Sequence, residues 1–401
     1  MFLDFVLTAS ALVGQGLGYS KLYLYHVILI LGSKAFFSRF KIGVSKSWPA
    51  FILLIFSFVS ILWSSHQKMG LAEVGQIALG VWFLIFRPKM KYLTKALVSV
   101  MWVNLLISLC ESFYLFRYPF SMFSPMVEAI GREAPYLLDV DIDRPTGFSW
   151  NPNNNAFLIL IFSPIVLKYQ KVLVNILYYG LSSFVIYKAS SKLILLGWII
   201  LTLMIVCTYM KRMVKYKALV LSMVGLIGLI VLADQREELS RKRIKYSNLW
   251  PSLYTSVSVV PHIIYKRFTG QEVTFNYFEL DASLHDRLLL VDGLLLIISK
   301  HVWFGVGAGG LSKIEHSQWQ RKLPLSSPHF YFLEVWAKYG LLYLLFYFSW
   351  LFYLLNKLRK AKNYEGLISL VFFIIFNPVL SSVSYFLPKG VLYRYADEDS
   401  D

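Results

Sequence analysis

His329 stands in the stretch SSPHFYFLEVWAKYG, residues 326–340. Ser326 or Ser327 can cap a helix there, and Pro328 suits its first turn. An imidazole at a helix N-terminus meets partial positive charge, which disfavours the imidazolium form. A neutral imidazole is a competent general base at pH 7. The competing reading is an interfacial histidine packed among Phe330, Tyr331 and Phe332. Glu334, Trp336 and Lys338 read as helix-face and interface residues. Arg287 belongs to a second helical run, SLHDRLLLVDGLLLIISKH, behind a capping-box-like Ser283-x-x-Asp286. A guanidinium in a first turn opposes the helix dipole, so it calls for an anionic partner such as a phosphate. The alternative is an arginine on a solvated face.

Between these stretches lies FGVGAGGL, with Gly305, Gly307, Gly309 and Gly310. It matches G-x-G-x-x-G, but no βαβ pattern surrounds it, so it is not a dinucleotide fingerprint. Either it bends the chain so that two helices meet, or its N–H groups hold phosphate oxygens. The bend is the favoured reading. Lys192, in YKASSKLILLGW, stands at one end of an apolar run, where a lysine also snorkels to the interface. In DRPTGFSWNPNNNAFLI, residues 143–159, Arg144, Asn151 and Asn153–Asn155 form a polar group where a chain normally passes straight into lipid. Helix capping around Pro152 accounts for the asparagines.

These groups must be held by membrane helices. The chain is 57% apolar and 16% charged, with repeated apolar runs separated by short basic turns. The reading is an all-α, polytopic integral membrane protein of about eleven to twelve spans. The spacing predicts spans near 3–19, 22–37, 48–64, 71–86, 96–114, 155–167, 172–188, 193–210, 218–233, 337–356 and 364–385. Turns 38–47, 87–95, 168–171, 211–217 and 357–362 carry Lys and Arg but no Asp or Glu, so they face the cytoplasm. The net charge of +17 therefore reports topology, and nucleic acid is excluded as a partner. The chain divides into residues 1–233 with an outer loop at 114–154, a long outer segment 234–336 with short helices, and C-terminal helices and tail from 337 to 401. A segment as long as 234–336 exceeds what a connection needs, which points to function. The apolar run after Arg287, about 12 residues, is too short to span. An eleventh span would leave the C-terminus outside, although the last 20 residues fit no simple assignment. Cys110 and Cys207 lie within apolar runs, unsuited to a disulfide. His285, His301 and His316 lack metal-ligand spacing, so no metal or cofactor is expected.

The order of these features is what carries a resemblance. A basic residue follows SS at a span end, then a long outer loop, an arginine opening a short helix, FGVGAGG, and PH-x-x-x-L-E-x-x-x-x-YG running into a span. Together with RPTGFSWNPNNNAF, this resembles the superfamily of O-antigen ligases and Wzy-type polymerases, over residues 140 to 360 or so. The resemblance implies a metal-independent membrane glycosyltransferase of about twelve helices in the bacterial inner membrane, with its active site on the extracytoplasmic face. It implies an undecaprenyl-pyrophosphate-linked glycan as donor and a glycan or lipid-anchored acceptor. Membrane lipids surround it, and a chain-length regulator and a flippase are further partners of such a system. The family histidine falls on His329 and the loop arginine on Arg287. A second family arginine falls on Lys192, which keeps the charge but loses the bidentate fork. Arg144 would add to the pyrophosphate site. Phe330 stands where the family often has Asn. Polymerase and ligase both fit, with the polymerase slightly favoured. A lipid-glycan transporter is the alternative of another class. It would place charges mid-membrane, whereas here Glu73 and Glu111 lie near span ends.

Overall fold

The computed structural model describes residues 2–13, 18–19, 22–23, 27–28, 32–119, 144–149, 151–212, 282–311, 331–376 and 386–397. Among them the chain is helical apart from a two-residue ladder, β1 (Gly18–Tyr19) against β2 (Leu22–Tyr23). The helices are α1 (Phe2–Val13), α2 (Ser33–Lys46), α3 (Trp48–Val59, continued by a 3-10 turn Ser60–Trp63), α4 (Gln67–Phe86), α5 (Met90–Ser112), α6 (Pro152–Lys168), α7 (Val172–Lys188), α8 (Lys192–Arg212), α9 (Ala282–Lys300), α10 (Tyr331–Lys360), α11 (Tyr364–Phe376) and α12 (Phe386–Ala396). Three are long and apolar enough to cross a bilayer: α4, α5 and α10. Residues 37–46 of α2 and Trp48–Trp63 make a fourth if the pair, bent by 93°, is one span. Four shorter apolar helices accompany them. The protein is an all-α polytopic membrane protein.

Several expected boundaries move. The turn expected at 38–47 is helix α2, and the expected span 22–37 overlaps it only at its end. Gly43 lets α2 cross the C-terminal end of α4, because a Cβ there would collide with the Ile85 backbone. α9 begins at Ala282, one residue before the expected cap Ser283. The expected span 218–233 and most of the expected outer segment lie outside the described residues.

Packing joins distant parts of the chain. α1 lies against α5, α6 against α11, and α4 against α12. Inside a bilayer such contacts depend on close packing and polar side chains, because lipid tails are as apolar as leucine. Buried serines fit this. Ser57 and Ser163 bond the carbonyl one turn back, while Ser163 also meets Tyr178 Oη and the Ser183 hydroxyl takes Trp198 Nε1–H.

Basic residues from the stretches near 39, 87 and 357 collect at one end. Asp4, buried at the start of α1, accepts from Arg39 Nη1 at 2.8 Å and from Lys89 N at 3.2 Å. Arg87 and Lys357 both pair with Asp397. The C-terminal end of α12 therefore shares the face of the basic turns, opposite to where an eleventh span alone would leave it. α12 is the returning element that the expected count lacked.

This placement has a direct check. Asp397→Cys is expected to be labelled by an impermeant thiol reagent from the same side as Lys360→Cys, in a background lacking Cys110 and Cys207. Labelling from opposite sides contradicts it.

Candidate active site

α10 is two helices meeting at Gly340, whose φ of 83° and ψ of 174° break the helical run. Residues 16 apart on a straight helix lie ~24 Å apart. Here Tyr331 Oη donates to Tyr347 Oη at 2.8 Å, and the Phe332 and Phe348 rings lie 4.6 Å apart. The first nine residues thus fold back along the second half. The second half, 341–360, is long enough to cross the membrane, while 331–339 is re-entrant. Tyr347 precedes Lys357 by ten residues, so Tyr331 reaches a depth ~15 Å from the basic face, about the middle of a bilayer. The sequence reading took this stretch as one helix running inward from the outer surface. The contacts between Tyr331 and Tyr347 correct it.

The glycine stretch makes the reversal possible. Val306 N–H donates to the Ala337 carbonyl at 2.9 Å and Gly307 N–H to the Lys338 carbonyl at 2.8 Å. On the other side of the break, Leu341 N–H donates to the Val302 carbonyl at 2.8 Å. Residues 302–307 therefore satisfy backbone groups that the break at Gly340 releases, as buried backbone requires. A side chain at Gly340 would run into the Trp303 carbonyl, and its φ disfavours any L-residue. Gly309, at φ 76°, abuts the Gly70 backbone in the same way. The remaining loop donors are also taken by protein. Ala308 N–H bonds Ser60 Oγ, Gly309 N–H bonds Glu73 Oε2 and Gly310 N–H bonds the Gly307 carbonyl. Of the two sequence readings, the bend is the one observed.

Charged side chains hold this junction. Glu73 Oε1 accepts from Tyr339 Oη at 2.8 Å and lies 3.1 Å from Lys338 Nζ, which is also 3.1 Å from Glu334 Oε1. Glu334 and Lys338 are only 4% and 7% exposed, so they are core residues rather than the expected helix-face ones. Deeper in, Lys389 of α12 sits 4.1 Å from the centre of the Tyr331 ring, beside the hydrogen-bonded cluster Tyr331, Tyr347 and Tyr393. These residues border a cavity of about 70 Å³ between α3, α4, α10 and α12. That volume admits a handful of waters. The i, i+4 spacing of Glu334 and Lys338 was the sequence signal. It equally describes a solvated surface pair.

The Arg144 stretch is built separately, at the end of α5. Glu111, 1% exposed, accepts the backbone N–H groups of Tyr118, Thr146 and Gly147 at 3.1, 2.6 and 2.8 Å, and the Thr146 hydroxyl at 3.0 Å. Arg117 lies 3.6 Å from that carboxylate and donates to the Arg144 carbonyl at 2.7 Å. Burial and the Glu111 charge push the Tyr118 phenol well above its ordinary value of 10, so it stays protonated. Asn151 caps α6 through a bond from Asn153 N, as expected, while Asn155 bonds Asn104 and Ser108 of α5. The half-buried Arg144 stands beside backbone that Arg117 and Glu111 hold.

The proposed site residues divide accordingly. Gly305, Gly307, Gly309 and Gly310 meet the re-entrant half of α10. Arg287 lies in the second turn of α9, which packs on α10 and leads into the loop, though its side chain lies outside the described residues. His329 lies outside them too, two residues before Tyr331. Lys192 is the first residue of α8, against α6 and α7, with its side chain also outside. Arg144 and Lys192 thus belong to a different group of helices from α9 and α10.

The stretch from α7 through the glycine loop to the second half of α10 matches one family model, described as O-antigen ligase, over residues 177–348. Over that stretch the chain is similar to the O-antigen ligase family. The matched segment covers less than half of the chain. It includes Lys192, Arg287, the glycine loop and His329, but not Arg144, Glu73 or Glu111. No curated protein and no solved structure matches the chain.

Two outcomes follow from this geometry. Gly340→Ala is expected to cut the yield of folded protein sharply, measured by size-exclusion chromatography in detergent, because the loop cannot dock around a Cβ. Glu111→Ala leaves three buried N–H groups without their acceptor, at about 1–3 kcal/mol each before relaxation. Thermal unfolding in detergent is expected to rank Glu111→Ala below Glu111→Gln and both below wild type.

Proposed function

We propose that the protein transfers a glycan en bloc from a polyprenyl pyrophosphate carrier to an acceptor sugar hydroxyl, as a Wzy-type polymerase of envelope polysaccharide. The observation that carries this reading lies within the matched segment. There the glycine loop threads the Gly340 break and joins the helix bearing Arg287 to the helix that follows His329.

The chemistry needs few groups. The acceptor oxygen attacks the anomeric carbon while the bond from that carbon to the phosphate oxygen breaks. The lipid pyrophosphate departs with the bonding pair, and its developing charge needs cationic donors. Arg287 supplies one, with Lys192 and Arg144 as further candidates. His329 takes the hydroxyl proton as general base. Attack from the face opposite the leaving group inverts the anomeric centre. No metal or cofactor enters this scheme, and the active site, with His329 two residues before the deep-lying Tyr331, is reached from the extracytoplasmic face of the inner membrane.

A ligase is the second reading, favoured by the description of the matched family model itself. The two differ only in acceptor: another lipid-linked glycan for a polymerase, a lipid anchor for a ligase. A transporter would place charges mid-membrane, and the spans read from the sequence as nearly free of them. Glu73, Glu334, Lys338 and Lys389 do lie within helices, but Glu73 and Lys338 bind the fold's own backbone and side chains.

The test is genetic and chemical. A deletion strain complemented with His329→Ala is expected to make the protein at normal level, yet to accumulate single lipid-linked repeats instead of a polymer ladder. Long lipid-linked chains would identify a ligase. A normal ladder would overturn the role of His329.

A further inference from the structure

We propose that Glu73 is a positioning residue of the transfer site, a role that rests on the transferase reading above. It lies on α4, more than a hundred residues before the matched segment begins. Its two carboxylate oxygens nevertheless hold three groups of that segment: Gly309 N–H at 3.1 Å, Tyr339 Oη at 2.8 Å and Lys338 Nζ at 3.1 Å. Gly309 belongs to the loop that follows α9. Tyr339 and Lys338 are the last residues before the Gly340 break. One side chain therefore clamps the loop that follows the Arg287 helix to the end of the re-entrant helix that His329 precedes.

Ser60 supplies the neighbouring acceptor, for Ala308 N–H at 3.1 Å, again from outside the matched segment. Lys338 lies between Glu73 and Glu334, both about 3.1 Å away, so a loss at Glu73 removes one of its two carboxylate partners. The loop is joined to α10 by backbone bonds and by Trp336 Nε1, which donates to the Val302 carbonyl at 3.0 Å, and this carboxylate adds the hold at Gly309. Glu73 touches neither donor nor acceptor in this account. It acts by fixing the separation of the two segments that do. A misplacement of about 1 Å in such a constellation can cost on the order of 100-fold in rate.

The experiment uses the purified full-length protein with lipid-linked glycan extracted from the deletion strain, and follows initial rates of transfer. Glu73→Ala is expected to lower kcat about 100-fold with the donor KM little changed. Glu73→Gln keeps one acceptor oxygen, enough for Gly309 N–H or for Tyr339 Oη in their present places but not for both, and is expected to recover part of that loss. Hydrogen exchange supplies a readout independent of transfer. Glu73→Ala should deprotect peptides within 302–311, while peptides from α5 and α6 stay as in wild type. If both variants transfer at the wild-type rate, the inference is wrong. It is also wrong if activity per folded molecule is unchanged, or if protection falls uniformly across the protein. If wild-type protein itself transfers nothing, the transferase reading fails, and the inference with it.

Discussion

A backbone break inside a membrane must be satisfied by protein, because lipid offers no partner for a free N–H or carbonyl. At Gly340 that requirement is met by a second stretch of irregular backbone, residues 302–310, which docks against the break and is itself held by Glu73 and Ser60. Each irregular segment is tolerated only because the other is present. The reversal of α10 follows from this mutual satisfaction, and so does the depth that Tyr331 reaches. The buried charges also belong to it. Lys338 Nζ lies 3.1 Å from a carboxylate oxygen of Glu73 and 3.1 Å from one of Glu334.

This arrangement changes what the family match means for the chain. The matched segment ends part-way down α10, yet the loop and break within it are completed by α3 and α4, and the tyrosine cluster by α12. The early helices thus support the matched segment. At the other end of α5 the same principle recurs, where Glu111 gathers three backbone N–H groups and holds backbone beside Arg144.

Much of this was legible in the sequence. Basic turns marked one face, and Asp4, Arg87, Lys357 and Asp397 do cluster together. GVGAGG in an α-helical setting read as a bend, and Asn151 read as a cap. The reversal was not legible. A Tyr-Gly pair within an apolar run has the same periodicity in a straight helix as in a folded one, and only the partner segment 302–310 decides between them. Glu334 and Lys338 were missed for a related reason. Their spacing shows that they share a helix face, while burial depends on what packs on that face. The tail remained unplaced because α12, at 11 residues, is too short for a hydropathy signal.

The account turns on whether α10 folds back on itself. Phe332→Cys with Phe348→Cys, in protein lacking Cys110 and Cys207, tests this through oxidative cross-linking in native membranes. The folded-back helix predicts an efficient intramolecular cross-link, seen as a mobility shift reversed by reductant. Two thiols that label singly but never cross-link would mean a straight helix, with the two positions ~24 Å apart, and would contradict the account.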